Sequence, residues 1–476
     1  MKTTTFRTAA MAGLCLASAS AQDAPAGAVA PGATAATSDN VDASAFVPVA
    51  DVMSEIDVSR KLQVAIDEAR KLRKALYLPN VGPCYIVNTT IDPSDVELFG
   101  AGTCITTTAN VDTIRTETFG TNIHDLKFTH SGAAGRVVNF IRGEGNQFWR
   151  NRVVATNPDN SDPIVFFALS NNRIKDNNFT NFRAKSSYTW QQQTTHPNTI
   201  SINNQVVGNY MGGSGRGGVI GDNGKVARPE GTLVAHNESV LVGGPFITLN
   251  SVLSVRLVGN MMDQNNDEGA IRIEPKGFSG YGVDGILVSA NYISAVGNKA
   301  AAPAIQSIKT GGHADAFTFT GNEIAFGAMA ARFEDGITNV QFTGNVMHGF
   351  SKPYCIELSV PSLLQQVSVG DTKQCQGGGT FLVPGHGNPG AATSTRTVTY
   401  HSATGGNYIN VPHGLAGIPA HVTTGVSTAN GGTLRASAVK VMVVRADATN
   451  VVLQVQPEGV VTNGTVDITL TARIAP

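Results

Sequence analysis

The sequence predicts an all-β protein whose central part is a parallel β-helix, preceded by a capping α-helix and followed by a small β-sandwich-like module. Three observations support this fold class. A phrase of apolar residues around an asparagine recurs through the middle of the chain, the segments between the asparagines are rich in Val, Ile, Phe, Thr and Gly, and an amphipathic stretch precedes the first repeat. Between the repeats there is little helical periodicity, so short strands joined by turns fit better than helical repeats.

The first residues have the features of an export signal. Lys2 and Arg7 precede the apolar stretch AAMAGLCLA, which is too short to span a membrane, and ASA at 19 to 21 supplies the small residues that a signal peptidase needs. We therefore expect residues 1–21 to be a signal peptide and the mature chain to be secreted, to the periplasm or the extracellular space. Residues 22–50 begin Ala, Gly and Pro rich, which predicts a flexible linker.

Composition excludes several classes of partner. Charged residues are 14% of the 476 residues, and Lys+Arg 34 nearly balance Asp+Glu 35. No basic stripe favours nucleic acid, and no later segment reaches the length of a membrane span.

Four cysteines remain after the signal, and they form two equally spaced pairs, Cys84 with Cys104 and Cys355 with Cys375. Exported proteins keep disulfides, and each pair is about one repeat apart, so we expect these two local bridges. Free buried thiols are the alternative, and no Cys/His cluster supports a zinc site.

Residues 59–74 are predicted to form the N-terminal cap of the β-helix. A helix here places an apolar stripe on one side and Lys and Arg on the other. Such a helix covers the strand edges that an open end of the stack would expose. The stripe consists of Leu62, Ala65, Ile66, Ala69 and Leu72.

The recurring asparagines predict how the coils stack. Coils of a parallel β-helix stack at about 4.8 Å and tolerate loops of any length at their corners, so unequal repeat spacing is expected. An asparagine at the same corner of every coil passes amide hydrogen bonds from coil to coil. Ten or more coils would make a stack on the order of 50 Å long within residues 51–375, including the cap. The asparagines are Asn151, Asn177, Asn209, Asn260, Asn291, Asn322 and Asn345, with a weaker member at Asn237.

The predicted helix leads directly into ALYLP and then VELFGAGT (96 to 103). This order of helix, YLP strand and LFGAG turn resembles the start of the pectate-lyase-like right-handed β-helix superfamily, which includes phage tailspike depolymerases. The resemblance covers about residues 55 to 375 and implies a right-handed β-helix that acts on polysaccharide, with Ca²⁺ as an optional cofactor. These motifs lie at the cap and in the core, so they imply architecture without assigning a catalytic residue.

The end of the chain predicts a separate module. Residues 376–398 form a Gly-rich linker, and residues 399–476 contain apolar runs of strand length such as VKVMVVRA and VVLQVQPEG. The phrase VPHGLAGIP resembles a segment in terminal modules of tail-associated β-helix proteins, where such modules aid trimer assembly or contact glycan. That resemblance makes a homotrimer an expectation, and His413 within the phrase is interpreted as a turn residue.

Four segments align when residues are counted forward from each ladder asparagine: AIRIE (270 to 274), QSIK (306 to 309), ARFE (331 to 334) and CIEL (355 to 358). Alternation then points Ile273, Ile308, Phe333 and Ile356 inward. One outer column would hold Glu274, Lys309, Glu334 and Glu357. The column beside it would hold Arg272, Ser307 and Arg332.

The candidate catalytic residues come from this strip: Arg272, Glu274, Lys309, Arg332 and Glu334. Glu274 and Glu334 would have backbones about 9 to 10 Å apart, which suits acid/base glycoside hydrolysis through a water. Alternatively, an arginine neutralises a uronate carboxylate while Lys309 or another base removes the C5 proton in β-elimination. The family resemblance favours the lyase, and a solvated ladder of neutralising charges is the non-catalytic alternative.

Candidate substrate-binding residues lie in two loop regions. The acidic loop DQNNDEG contributes Asp263, Asp267 and Glu268, and the long insertions contribute Tyr188, Trp190 and Arg216. Trp190 is flanked by polar sequence, so we expect it to be exposed and able to stack on a sugar ring. GGSGRGG (212 to 218) matches neither a nucleophile elbow nor a phosphate loop and is interpreted as a corner turn.

Together these features predict a secreted enzyme that degrades an acidic or bacterial surface polysaccharide, as a lyase. A tailspike-type glycoside hydrolase and a non-catalytic glycan-binding or spike-like structural protein are the alternatives.

Overall fold

Most of the chain is described by a computed structural model. The described residues are 39–195, 201–221, 228–240, 243–264, 268–276, 282–295, 302–352, 354–370, 381–382, 393–401, 408–412, 419, 421–428, 439–447, 450–457 and 465–473. Among them, no helix combines the length and the apolar character needed to cross a membrane.

Three rows of short strands, one strand of each per coil, wind into a right-handed parallel β-helix. The first row, which precedes each ladder asparagine, consists of Asn40–Asp42, Ala75–Leu78, Glu97–Thr107, Asn122–His130, Gln147–Trp149, Arg173–Lys175, Gln205–Val207, Glu230–Ala235, Val252–Val258, Val283–Ser289, Ala314–Thr320, Val340–Thr343 and Val367–Gly370. The second row, which follows the asparagine, consists of Tyr85–Ile86, Arg152–Ala155, Asn178–Asn181, Tyr210–Gly213, Glu238–Val240, Met261–Gln264, Tyr292–Ala295, Glu323–Ala325 and Val346–His348. The long strands Glu97–Thr107 and Asn122–His130 run through both rows.

The third row is a separate sheet of 11 strands, in agreement with the predicted ten or more coils. Its strands are mostly three residues long, and the first and third residues point into the core, as alternation requires. Phenyl rings also stack between coils in the interior, for example Phe319 on Phe342 with centroids 4.6 Å apart. The third row consists of Ile114–Thr116, Val138–Phe140, Val165–Phe167, Tyr188–Gln192, Arg216–Ile220, Ile247–Leu249, Ile271–Ile273, Ile305–Ser307, Ala331–Phe333, Ile356–Leu358 and Phe381–Leu382.

The predicted asparagine ladder is confirmed, and Asn237 is a complete member of it. Each side-chain amide donates to the carbonyl of the next asparagine, from Asn151 through to Asn345, at 2.9 to 3.2 Å. The same carbonyl oxygen also accepts the backbone N–H of the preceding asparagine. A second, shorter ladder joins Asn146, Asn172 and Asn204 at another corner. The sequence analysis missed it because it spans only three coils.

The predicted capping helix is confirmed as Ser59–Leu72, and a short helix, Val49–Met53, precedes it. Leu62, Ala65, Ile66 and Ala69 are buried, whereas Leu72 in the last turn is 49% exposed, so its place on the buried stripe is wrong. A 3-10 turn at Ala43–Ala45 joins the helical region to Asn40–Asp42, which pairs with Ala75–Leu78. Residues 40 to 50 therefore belong to the folded body because Val41 and Val47 enter the core, whereas residues 1–38, with the predicted signal peptide and most of the predicted linker, lie outside the described residues.

A disulfide joins Cys84 to Cys104, as predicted. Cys355 is also disulfide-bonded, and its predicted partner Cys375 lies outside the described residues. A 3-10 helix, Pro361–Gln365, precedes the last first-row strand.

The C-terminal module consists of two three-stranded antiparallel sheets around one small core, which fits the predicted β-sandwich-like module. One sheet contains Thr393–His401, Thr465–Arg473 and His421–Thr428, and the other contains Tyr408–Pro412, Asn450–Pro457 and Val439–Ala446. Two strands, Phe381–Leu382 and Thr393–His401, fall within or start in the segment predicted as linker, 376–398. His413 lies outside the described residues.

Candidate active site

The middle residues of the third-row strands form one column on the outer side of the β-helix. Their neighbours on both sides belong to the core, as Ile271 and Ile273 do around Arg272. Arg272 and Arg332 lie in this column two coils apart, as predicted from the sequence. In pairing order the column is Arg115, Asn139, Phe166, Gln191, Val219, Thr248, Arg272, Gln306, Arg332 and Glu357.

Two segments of the predicted alignment are wrong in register. Gln306 pairs with Arg272, whereas Ser307 pairs with Ile273 and is buried, and Ile308, expected inside, is half-buried beyond the strand end. Glu357 pairs with Arg332, so it belongs to the arginine column and not to the column of Glu274. Turns between the ladder and the third row differ in length from coil to coil, so counting residues does not fix the register.

Arg272 lies between two glutamates. Its Nη1 donates to Glu268 Oε2 at 2.6 Å, and its Nε donates to Glu274 Oε1. The other oxygen of Glu274 lies 3.8 Å from Lys276 Nζ. Glu274 is only 14% exposed, so its carboxylate is neutralised by two cations at a largely desolvated position.

Arg216 extends this arrangement toward the preceding coils. Its Nη2 donates to Glu268 Oε1 at 2.7 Å, and its Nε donates to the carbonyl of Lys185. Its guanidinium lies 5.7 Å from the ring centroid of Tyr188. Tyr188, Arg216, Glu268, Arg272 and Glu274 thus form one continuous set, here named the central network. All five were candidate site residues from the sequence.

A second group lies two coils further along the stack. Glu334 Oε2 accepts the backbone N–H of Lys309 at 2.7 Å, and Lys309 Nζ is ion-paired with Asp335 at the same distance. The hydrogen bond and charge of Lys309 lower the pKa of Asp335. Within the described part of the chain, no cation lies at ion-pair distance from Glu334, which distinguishes it from Glu274.

Arg332 and Glu357 close the strip at the C-terminal end. Arg332 Nη2 lies 2.8 Å from Glu357 Oε1, and the Tyr354 hydroxyl donates to the other carboxylate oxygen. Burial, and after it the Glu357 charge, raises the pKa of Tyr354. Glu357 is 9% exposed, which indicates a structural ion pair more than a solvated charge.

The other substrate-binding predictions fall elsewhere. Trp190 is completely buried against Phe167, so its predicted exposure is wrong, and the indole cannot stack on a sugar from this position. Trp190 faces the core. It pairs with Gly218, which has no side chain and so leaves room for the indole ring. Asp263 lies on the second row in the strand Met261–Gln264, away from the outer column, and Asp267 lies outside the described residues.

The strip brings together carboxylates and arginines but offers no evident metal cage. Among the described residues, no group of three or more His, Cys, Asp or Glu side chains could hold a metal ion. The sequence analysis missed Lys276, Asp335 and Tyr354, each of which contacts a predicted residue. All three lie in turns or before a strand, where alternation gives no signal about orientation.

No protein-family model matches the chain, and no curated protein matches it. Among solved structures the chain is similar to a tailspike protein mutant of E. coli bacteriophage HK620 in complex with a pentasaccharide. The TM-score is 0.53 at 13% identity, over 92% of this chain and 94% of that chain. A second mutant of the same tailspike, also with a pentasaccharide, gives a TM-score of 0.51 at 13% identity over the same shares. The resemblance to right-handed parallel β-helix proteins, tailspikes among them, is therefore confirmed at the level of the fold.

Proposed function

We propose that the protein is a polysaccharide-cleaving enzyme that binds its polymer along the outer column of the third row. An extended chain laid along stacked strands would meet the partly exposed side chains of Arg272, Gln306 and Arg332 on three successive coils, roughly 4.8 Å apart. The similar tailspike was solved with a pentasaccharide, which supports a carbohydrate ligand for this fold. The half-exposed arginine Arg332 and the polar residue Gln306 give the column hydrogen-bond donors for such a chain.

The observation that carries a hydrolytic mechanism is the contrast between Glu274 and Glu334. Glu274 has Arg272 and Lys276 against its carboxylate, whereas Glu334 accepts only the backbone N–H of Lys309 and has no cation at ion-pair distance among the described residues. A general acid must come within hydrogen-bond reach of the leaving oxygen, and Glu334 is not held in an ion pair with any described residue. We assign Glu334 as general acid and Glu274 as the base that activates water. Their backbones, two coils or about 9 to 10 Å apart, leave room for that water.

The lyase mechanism is the second candidate because the column also presents Arg272 and Arg332. A guanidinium in this column would neutralise a uronate carboxylate before Lys309 or another base removes the C5 proton. Against it, Arg272 is already bonded to two glutamates and Lys309 to Asp335. β-Elimination would have to displace these partners, so we rank hydrolysis first.

Incubation with a panel of polyuronates and bacterial exopolysaccharides tests both mechanisms. New reducing ends without unsaturated ends indicate hydrolysis, and both together indicate β-elimination. In the hydrolytic case we expect Glu274→Gln and Glu334→Gln each to lower kcat by about 10²-fold or more. Glu238→Gln, an exposed glutamate on the second row, is the matched control and should retain full activity. Binding without cleavage by the wild-type protein would favour a non-catalytic glycan-binding protein.

We further propose that the enzyme works outside the cytoplasm and as a homotrimer. The Cys84–Cys104 disulfide supports an oxidising compartment. The C-terminal module exposes large apolar side chains, which supports assembly through that module.

A further inference from the structure

Four ring side chains form a column on the outer side of the first row, near the N-terminal end of the stack. Tyr77, Phe99, His124 and Trp149 occupy paired positions on successive coils. Their centroids are 5.4, 5.4 and 4.5 Å apart in that order. This ring column lies on a different row from the candidate active site.

Hydrogen bonds hold the last two rings in place. His124 is bonded through Nδ1 to Asp125 and through Nε2 to Glu97. Trp149 Nε1 donates to Asn122 at 2.6 Å. The column is therefore fixed by polar contacts at one end, while Tyr77 and Phe99 at the other end are half-buried and keep apolar ring surface toward solvent.

An open depression of about 540 Å³ adjoins Tyr77 and Phe99. The Gly100-Ala101-Gly102 segment of the LFGAG turn also lines it, and the pairing with the next coil shifts there, between Phe99 and Thr103. A side chain at Gly100 would lie within 3 Å of Leu78 O and Thr103 Oγ1, and Gly102 has φ +71°. The glycines thus permit the shift that opens the depression.

Three cations and the carboxylate of Asp125 also line this depression. Arg150 is occupied, since it is ion-paired with Asp125 at 2.5 Å and packs over Trp149 at 3.8 Å. Lys127 and Arg152 are exposed and occupy paired strand positions on neighbouring coils. Neither makes an ion pair with any described residue. Two cations that form no ion pair with a described residue therefore lie side by side in the depression that Tyr77 and Phe99 also line.

We propose that this depression is a second glycan-binding site, specific for a sugar unit that carries a carboxylate. The apolar face of a pyranose ring packs on Tyr77 and Phe99, while its carboxylate accepts charge-assisted hydrogen bonds from Lys127 and Arg152. Aromatic rings alone would accept a neutral sugar equally well, and the cation pair alone would accept any anion. Their combination selects an acidic saccharide and retains the polymer at a distance from the third-row strip.

Calorimetric titration of the full mature chain, carrying Glu274→Gln to prevent turnover, tests this site. The probes are hexagalacturonate, which has a carboxylate on every ring, and neutral maltohexaose. We expect the double variant Lys127→Gln/Arg152→Gln to raise the Kd for hexagalacturonate about tenfold or more, the loss expected for charged hydrogen bonds. Phe99→Leu keeps the volume but removes the ring, and it should weaken binding several-fold.

The matched control is Arg173→Gln/Lys175→Gln, which removes two exposed cations from the same row one coil beyond the depression. It should leave the Kd within about twofold. Equal losses in the two double variants would overturn the site and indicate general electrostatic attraction. Equal affinity for maltohexaose and hexagalacturonate in the wild-type site would also overturn it. Because binding is measured without turnover, failure here is distinguishable from failure of the proposed enzymatic function.

Discussion

His130 is a completely buried residue near Arg183, Asp112 and Asp162, outside the candidate active site. Its Nε2–H donates to the carbonyl of Val111, and Nδ1 has no partner among the described residues. Burial, reinforced by the charge of Arg183, lowers the pKa of His130 to about 4. The folded protein therefore holds this imidazole neutral, whereas in the unfolded chain it titrates near its ordinary value of about 6.5.

The sign of the pH dependence follows from this difference. Below about pH 6.5, His130 binds a proton in the unfolded chain but not in the folded protein. The free energy of unfolding therefore falls as pH falls toward about 4. The full loss is about 3 kcal/mol. We expect His130→Asn to flatten the pH dependence of the free energy of unfolding, measured by urea titration, between about pH 5 and about pH 7. Identical slopes in wild-type protein and His130→Asn would contradict the buried neutral histidine.

For single residues of the candidate site, the sequence predicted the kinds of side chain better than their positions in the structure. Arg272, Glu268 and Glu274 stand out in the sequence because they belong to a densely charged stretch, DEGAIRIEPK (267 to 276), and they meet in the central network. Trp190 was misplaced because polar neighbours suggested exposure, whereas its strand position decides its orientation. The space for its ring comes from Gly218 on the next coil, a long-range complement that local sequence does not reveal.

At the scale of elements, the asparagine ladder is the feature that sequence periodicity predicts best. Asn237 accepts from the Asn209 backbone and side chain, and it donates to Val206 and Asn260. Removing this side chain leaves several buried polar groups without partners, each costing about 1 to 3 kcal/mol. We expect Asn237→Ala to lower the free energy of unfolding by about 3 kcal/mol or more, measured by denaturant titration.

The control for this change is Asn178→Ala, an exposed asparagine next to the ladder. Surface substitutions of this kind usually change stability by less than about 0.5 kcal/mol. Comparable losses for the two variants would mean that the ladder hydrogen bonds contribute little beyond the packing of their coils.

The register of the third-row strands could not be predicted from the sequence repeat. Three residues are too few to show alternation on their own, and the turns before them vary in length. Glu357 was therefore placed beside Glu334, whereas one column away it forms a buried ion pair with Arg332. A shift of one residue exchanges the inner and outer faces, so the repeat predicts the coils without predicting which side chains share a column.

At the scale of the whole molecule, the predicted order of cap, β-helix and C-terminal module holds. The core forms from residues that the repeat marks as apolar, and the cap from a clear amphipathic pattern. Functional surfaces follow less directly, because they depend on which coils lie side by side. The ring column and the Lys127–Arg152 pair illustrate this, since their members are about one coil apart in sequence and adjacent only after stacking.

Assembly is the last property that belongs to the whole molecule. Within one sheet of the C-terminal module, large apolar side chains are exposed at Tyr408, Met442, Val443 and Val444. Soluble proteins usually cover such a patch, and closed cyclic symmetry does so without leaving a free surface. We expect light scattering after size exclusion to give three times the mass of one chain. Met442→Asp/Val444→Asp should yield monomers because a desolvated carboxylate opposes the contact, whereas Met261→Asp, at an exposed β-helix position, should remain trimeric. A monomeric wild-type protein, or a double variant that stays trimeric, would rule out assembly through this sheet.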